Sequence, residues 1–296
     1  MLKSSKYNIL YKDNGYGAFA NLTTILDWLW AKRYFDFTFD IRWTASRPFS
    51  SNKQINIAEY FFSYQNQNLD KYDITTNCWI GHSILEDKKE LSQKLFSTLH
   101  TILSQKLSFY HNYDGYFVTK PEIYFEKDFQ TLRNEWNGTF NQFMNIKNLK
   151  VLKKDQIKKK RTLGVQIRTP QHFYIDNNIN DFYRIIFKEI ITEFNTGFDQ
   201  IYLATDCMEF FEYLYDTIDI DKIVNIDYRR ITGNLDWKDK SINKLEECHN
   251  AFCDAINLSY CDKLLCATSN IVFFSLIFNP QLKFEFFNYL RDKRGR

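Results

Sequence analysis

From Thr162 onward the chain repeats one pattern: a short apolar run closing on a polar residue, then a longer segment with helical spacing. The runs LGVQIR, QIYLATD, KIVNI and KLLCAT have the length and the Ile, Leu and Val content of buried strands. Helical spacing is expected over about 180–194, 208–215 and 245–259, and a last apolar helix, IVFFSLIF, opens at Ser269 and Asn270. Strands separated by helices pair in parallel and carry helices on both faces of the sheet. Ligands of such sheets bind beyond the carboxyl ends of the strands. The residues at those ends are Arg168, Asp206 and the run Thr268, Ser269, Asn270.

The first half is less regular. A strand over Tyr7 to Tyr11, a turn from Asp13 to Gly17, a helix over about 19–33 and a strand over 35–43 form a β-α-β unit. The Gly15-Tyr16-Gly17 turn suits close approach of backbone to a ligand, or simply a tight turn. Residues 44–77 read as loop with one apolar piece at 57–64, and helices are expected near 87–107 and 127–145. The polar, basic stretch NLKVLKKDQIKKKR then reads as a connection. With 296 residues the chain fits one large α/β domain or two of ordinary size, and we divide it into 1–150 and 151–296. The Lys-rich connection is a solvated charge run or a surface for anionic lipid headgroups.

Several function classes are excluded. A net charge of +3 is too small for nucleic acid as the main partner. No apolar run reaches the roughly 18 residues of a membrane span, and the start lacks a signal-peptide core, so a cytoplasmic protein is expected, with peripheral membrane contact at most. Cys78 stands alone, and Cys207, Cys248, Cys253, Cys261 and Cys266 share an apolar region without a C-x-x-C pair, the pattern of buried free thiols rather than zinc ligands. Asp219-Ile220-Asp221 has a metal-site spacing but follows a helix and precedes KIVNI, so no metal and no other cofactor are expected. Trp43 and Trp79 suit either sugar stacking or core packing.

The strand-end residues form a coherent set. Arg168 is a fixed cation whose guanidinium matches a pair of phosphate oxygens. Ser269 and Asn270 cap an apolar helix whose first N–H groups face an anion. Asp206 would repel phosphate and suits a sugar hydroxyl or a nucleoside group. Each has a plainer reading too: Arg168 paired with a carboxylate, Ser269 and Asp206 as simple helix caps.

The segments GVQIR, IYLATD and CDAINLSYCDKLLCATSN, in this order, resemble the donor-binding domain of the α1,6-fucosyltransferase group and its O-fucosyltransferase relatives. The resemblance spans about 163–280, with a weaker match at GYGAFANLTTILDWLWAKR. It implies a GT-B-like α/β fold, two Rossmann-like domains facing across a cleft. It implies a nucleotide-sugar donor, GDP-fucose in the first place, and an oligosaccharide or lipid-linked glycan as acceptor. By the same resemblance Arg168 holds the β-phosphate, Asp206 lies near the nucleoside, Asp254 contacts guanine, and Ser269 and Asn270 flank the diphosphate. The family motif H-x-R-R-x-D is here Gln166, Ile167, Arg168, Thr169, Pro170, Gln171, so the histidine, one arginine and the acid are replaced. Gln166 still hydrogen-bonds a base or ribose but cannot ionise.

The mechanism implied is a metal-independent, inverting displacement in which Arg168 and the Ser269 helix end stabilise the leaving diphosphate. His172 and Asp176, in the loop after the motif, are the candidates for the base. Two alternatives stay open: another donor, such as a GDP- or UDP-linked hexose or heptose, and a non-catalytic nucleotide- or glycan-binding relative.

Overall fold

A computed structural model describes residues 7–13, 17–44, 55–77, 80, 90–106, 121–149, 152–168, 179–227 and 244–288. The chain divides into two compact units, Met1–Leu149 with Lys240–His249, and Lys150–Asp239 with Asn250–Arg296.

The first unit holds β1 (Tyr7–Lys12), α1 (Ala18–Lys32), β2 (Phe37–Arg42), α2 (Ile57–Phe61), β3 (Ile74–Thr76), α3 (Glu90–Lys106) and α4 (Phe129–Phe143). Its strands lie in the order β2-β1-β3, all parallel. Helix α1 buries thirteen of its fifteen residues, which is why its sequence is apolar on nearly every face. Its carboxyl end is held by one carboxylate: Glu135 of α4 accepts from Trp30 Nε1, Arg33 Nη1 and Tyr34 Oη at 3.2, 2.9 and 3.1 Å. Of the expected Asp13–Gly17 turn, residues 14–16 lie outside the described residues, and Gly17 is the N-cap of α1.

Strand β2 is an edge, and the segment read as loop closes it. Asn66 donates to Ile41 O at 2.7 Å and accepts from Ile41 N at 2.6 Å, so one side-chain amide stands in for a neighbouring strand. Buried Asp40 accepts from Gln67 N, Asn68 N and Tyr72 Oη at 2.8, 2.7 and 2.7 Å. These bonds hold Asn68 in the left-handed region, at φ 54°. Trp43 is fully buried and stacked on Phe62, so it belongs to the core; Trp79 lies outside the described residues.

The second unit holds α5 (Lys154–Lys158), β4 (Thr162–Ile167), α6 (Ile179–Phe194), β5 (Gln200–Thr205), α7 (Met208–Tyr215), β6 (Ile223–Val224), the end of α8 (Lys244–Ser259), β7 (Lys263–Cys266), α9 (Asn270–Phe278) and β8 (Lys283–Phe286). The sheet order is β6-β5-β4-β7-β8, and every pairing is parallel. One face carries Leu163, Val165, Ile167, Ile201 and Leu203 against α6 and α7. The alternate residues, among them Gly164, Gln166 and Tyr202, point to the other face, towards α8 and α9. Strand β8 and helix α5 were not expected: β8 is a half-exposed edge strand following Pro280, and α5 is a single turn within the basic stretch.

Gly164 is fixed by close packing. A Cβ there would lie 2.5 Å from Leu264 Cδ2 and 3.1 Å from Cys261 Sγ. Gly164→Ala is expected to cost about 1–3 kcal/mol by overpacking, read as a lower urea midpoint at unchanged m-value. An unchanged midpoint would show that the face is loosely packed.

Five cysteines, Cys207, Cys248, Cys253, Cys261 and Cys266, are buried free thiols, and Cys78 lies outside the described residues. No helix among the described residues is long and apolar enough to cross a membrane.

Candidate functional site

The strand order singles out one crevice. The chain starts at β4, builds outward through β5 and β6, then crosses back to place β7 and β8 on the other side of β4. In sheets with this order, the switch point between β4 and β7 is where ligands bind, in the crevice beyond the carboxyl ends of the strands. Gln166 and the segment from Ala267 to Asn270 flank it, with Arg168 immediately after β4.

At the β7 side, Ser269 is the N-cap of α9 and accepts from Val272 N at 3.3 Å. Its hydroxyl proton goes to Gln166 Oε1 at 3.2 Å, so two sequence candidates from different strands touch. Gln166 is 1% exposed, and its backbone oxygen also accepts from Ala267 N at 3.3 Å. The capping serine thus ties the helix start to the central strand. The helix delivers first-turn N–H groups and the positive end of its dipole to the crevice. Asn270 Oδ1 is buried with no hydrogen-bond partner among the described residues. A buried acceptor left without a donor carries a desolvation cost of about 1–3 kcal/mol, which a hydroxyl or N–H from a ligand would offset.

At the β4 side, Arg168 is oriented by Asp206. Both Nε and Nη2 donate to Asp206 Oδ2, at 2.9 and 2.8 Å, and the two side chains are 20% and 21% exposed. Ile167 pairs with Thr205 in the sheet register, so Arg168 and Asp206 are the next residues of adjacent strands and meet directly across them. The plainer expectation for Arg168, a carboxylate partner, and its expected place at the sheet edge are both realised.

Asp254 is elsewhere. It lies in α8, is 3% exposed, and accepts from Tyr202 Oη at 2.7 Å. Asn257 donates to the same Tyr202 oxygen at 3.0 Å and accepts from Lys153 N at 2.8 Å. Tyr202 pairs with Gly164, three residues before the end of β5, so the structure puts this acid beneath the sheet rather than at its edge. His172 and Asp176 lie outside the described residues, as do Thr169, Pro170 and Gln171. Asp219 accepts from Asp221 N at 3.2 Å and caps the short 3-10 turn Ile220–Lys222.

Beside Asp206 is a cluster that sequence inspection missed. Cys207 Sγ donates to Glu209 Oε2 at 3.3 Å and lies 3.1 Å from Tyr183 Oη. With the thiol proton directed at Glu209, the tyrosine hydroxyl is the donor to sulfur. Burial pushes the Cys207 thiol up to about 11, and burial with the Cys207 contact raises Tyr183. Both stay protonated at neutral pH, so neither serves as a base there.

Neither a protein-family model nor a curated protein sequence matches the chain. Solved structures match it in fold. The selenomethionine form of the fucosyltransferase NodZ from Bradyrhizobium aligns with a TM-score of 0.55 and 11% identity, over 95% of this chain and 96% of that one. NodZ α1,6-fucosyltransferase soaked with GDP-fucose gives 0.54 and 10% over 93% and 94%. The same enzyme co-crystallised with GDP gives 0.54 and 11% over 95% and 96%. Over nearly its whole length, this chain has a fucosyltransferase-like, α/β fold of the GT-B-like class.

Proposed function

We propose that the chain is a glycosyltransferase that binds a nucleoside-diphosphate sugar at the β4–β7 crevice. Its preferred donor is GDP-fucose, and its acceptor is a glycan hydroxyl. The observation that carries this is the placement of three features beyond the carboxyl ends of the adjacent strands β4 and β7: the ordered Arg168 guanidinium, the capped start of α9, and the orphaned Asn270 Oδ1. The first two match a diphosphate; the third matches a hydroxyl or N–H of the same ligand. NodZ, on the same fold, was co-crystallised with GDP and soaked with GDP-fucose.

The reaction is an inverting displacement. The acceptor oxygen forms its bond to the anomeric carbon as the bond to the diphosphate breaks. The acceptor proton goes to His172 or Asp176, and the electron pair goes to the β-phosphate. Charge grows on the leaving diphosphate, and Arg168 and the helix start stabilise it more as it grows, so stabilisation rises towards the transition state. We take the reaction to proceed without a metal. Residues 1–150 are assigned the acceptor, an oligosaccharide or lipid-linked glycan. Asp254, sealed under the sheet, supports the β5–α8 packing rather than direct base recognition.

One observation favours a different donor within the same chemistry. Gln166, where the family has histidine, spends its Oε1 on Ser269. The test is donor consumption, with and without chelator, over GDP-fucose and GDP- and UDP-linked hexoses and heptoses. Release of GDP from GDP-fucose, unaffected by chelator, is the expected result. Turnover of another donor alone would keep the transferase and discard fucose. Nucleotide binding without turnover of any donor would leave a non-catalytic relative.

A further inference from the structure

Asp206 was expected to meet the nucleoside or a sugar hydroxyl, and its position in the sheet argues otherwise. It follows β5, and the order β6-β5-β4-β7-β8 puts β5 on the side of β4 away from the crevice. Parallel strands are spaced by about 4.8 Å, so Asp206 starts roughly 10 Å from the β7 side where α9 begins. Between them stands Arg168, with Nε and Nη2 both on Asp206 Oδ2. The contact uses one edge of the guanidinium and fixes its plane. A long, rotatable side chain thereby becomes a preset donor, which spares its ordering when a ligand arrives.

We infer that Asp206 is a positioning residue: it acts on the donor's diphosphate only through Arg168 and touches neither the base nor the sugar. The inference rests on the nucleoside-diphosphate site described above. It also accounts for a carboxylate at the lip of an anion site. That carboxylate is paired with Arg168, one strand removed from the ligand.

The test is a double-mutant cycle read as the ratio of GDP to GMP affinity by calorimetry, on the full chain, with thermal melts confirming that each variant folds. Removing the carboxylate also removes some repulsion, but that long-range effect acts in the same direction on both nucleotides. Loss of guanidinium order acts on the β-phosphate, which GMP lacks. Asp206→Ala is expected to lower the ratio about tenfold, a typical size for a charge-assisted contact, with GMP affinity changed less than about twofold. Asp206→Asn, which still accepts one hydrogen bond, is expected to fall between Asp206→Ala and the wild type. In an Arg168→Ala background, Asp206→Ala is expected to add nothing, because the residue has lost the group it acts through.

Two results would overturn the inference. If Asp206→Ala weakens GDP and GMP alike and adds to Arg168→Ala, Asp206 contacts the nucleoside directly, and the diphosphate site stands. If the wild type binds GDP no better than GMP, the inference fails together with the diphosphate site.

Discussion

Arg168→Ala is expected to lower kcat/KM for GDP-fucose by about 10³-fold while the second unit stays folded. Losing one preorganised donor to a developing oxyanion commonly costs 10²–10³-fold in rate. Here the loss sits at the upper end, because the guanidinium removed is one that Asp206 already holds in place. Some stability should be lost as well: both partners are only about 20% exposed, so removing one and leaving a largely buried carboxylate costs about 2–4 kcal/mol. Arg168→Lys keeps the charge but loses the planar two-nitrogen edge that Asp206 grips, and should recover only about tenfold of the lost rate. GDP release by chromatography, beside a thermal melt of each variant, measures both. Turnover within about threefold of wild type in a folded Arg168→Ala variant would remove Arg168 from the site.

The largest stability effect is expected in the first unit, at Asp40. Its carboxylate is 2% exposed and is satisfied by two backbone N–H groups and the Tyr72 hydroxyl. Hydrogen bonds to a charged group contribute about 1.5–3 kcal/mol each, and the released donors regain only part of that from water. Asp40→Ala is therefore expected to cost about 3–4 kcal/mol, or roughly a 10 °C fall in Tm for a unit of this size. Asp40→Asn keeps one acceptor but turns an amide NH2 towards donors, and should recover less than half. Thermal unfolding followed by circular dichroism reads both variants. A loss below about 1 kcal/mol for Asp40→Ala would mean that the 66–72 segment holds β2 without this carboxylate.

The second unit was the more legible half, and the reason is physical. Each of its central strands is buried on both faces, so it appears in sequence as a mostly apolar run whose end is marked by Arg168, Asp206 or Thr268. Edge elements carry no such signal: β3 is three residues long with one exposed, and β8 is half-exposed. Sequence inspection also located the strand-end residues without their neighbours. That Arg168 meets Asp206 follows from the β4–β5 register, and that Gln166 meets Ser269 follows from β4 lying beside β7. Both adjacencies are set by strand order, which a single sequence does not display. Asp254 shows the opposite case. Its place in a motif suggests a ligand contact, but its contact with Tyr202 was not legible, because the apolar surroundings of that tyrosine give no hint of a buried acid partner.

The most direct test of the crevice is a thermal-shift panel on the full chain with GDP, UDP, CMP and their sugar conjugates, with and without chelator. A ligand at about a hundred times its Kd stabilises the folded state by about 2.7 kcal/mol. A diphosphate site at Arg168 and the start of α9 predicts a rise in Tm with GDP and GDP-fucose that chelator leaves intact and Arg168→Ala removes. No rise with any nucleotide, or an equal rise in wild type and Arg168→Ala, would contradict it.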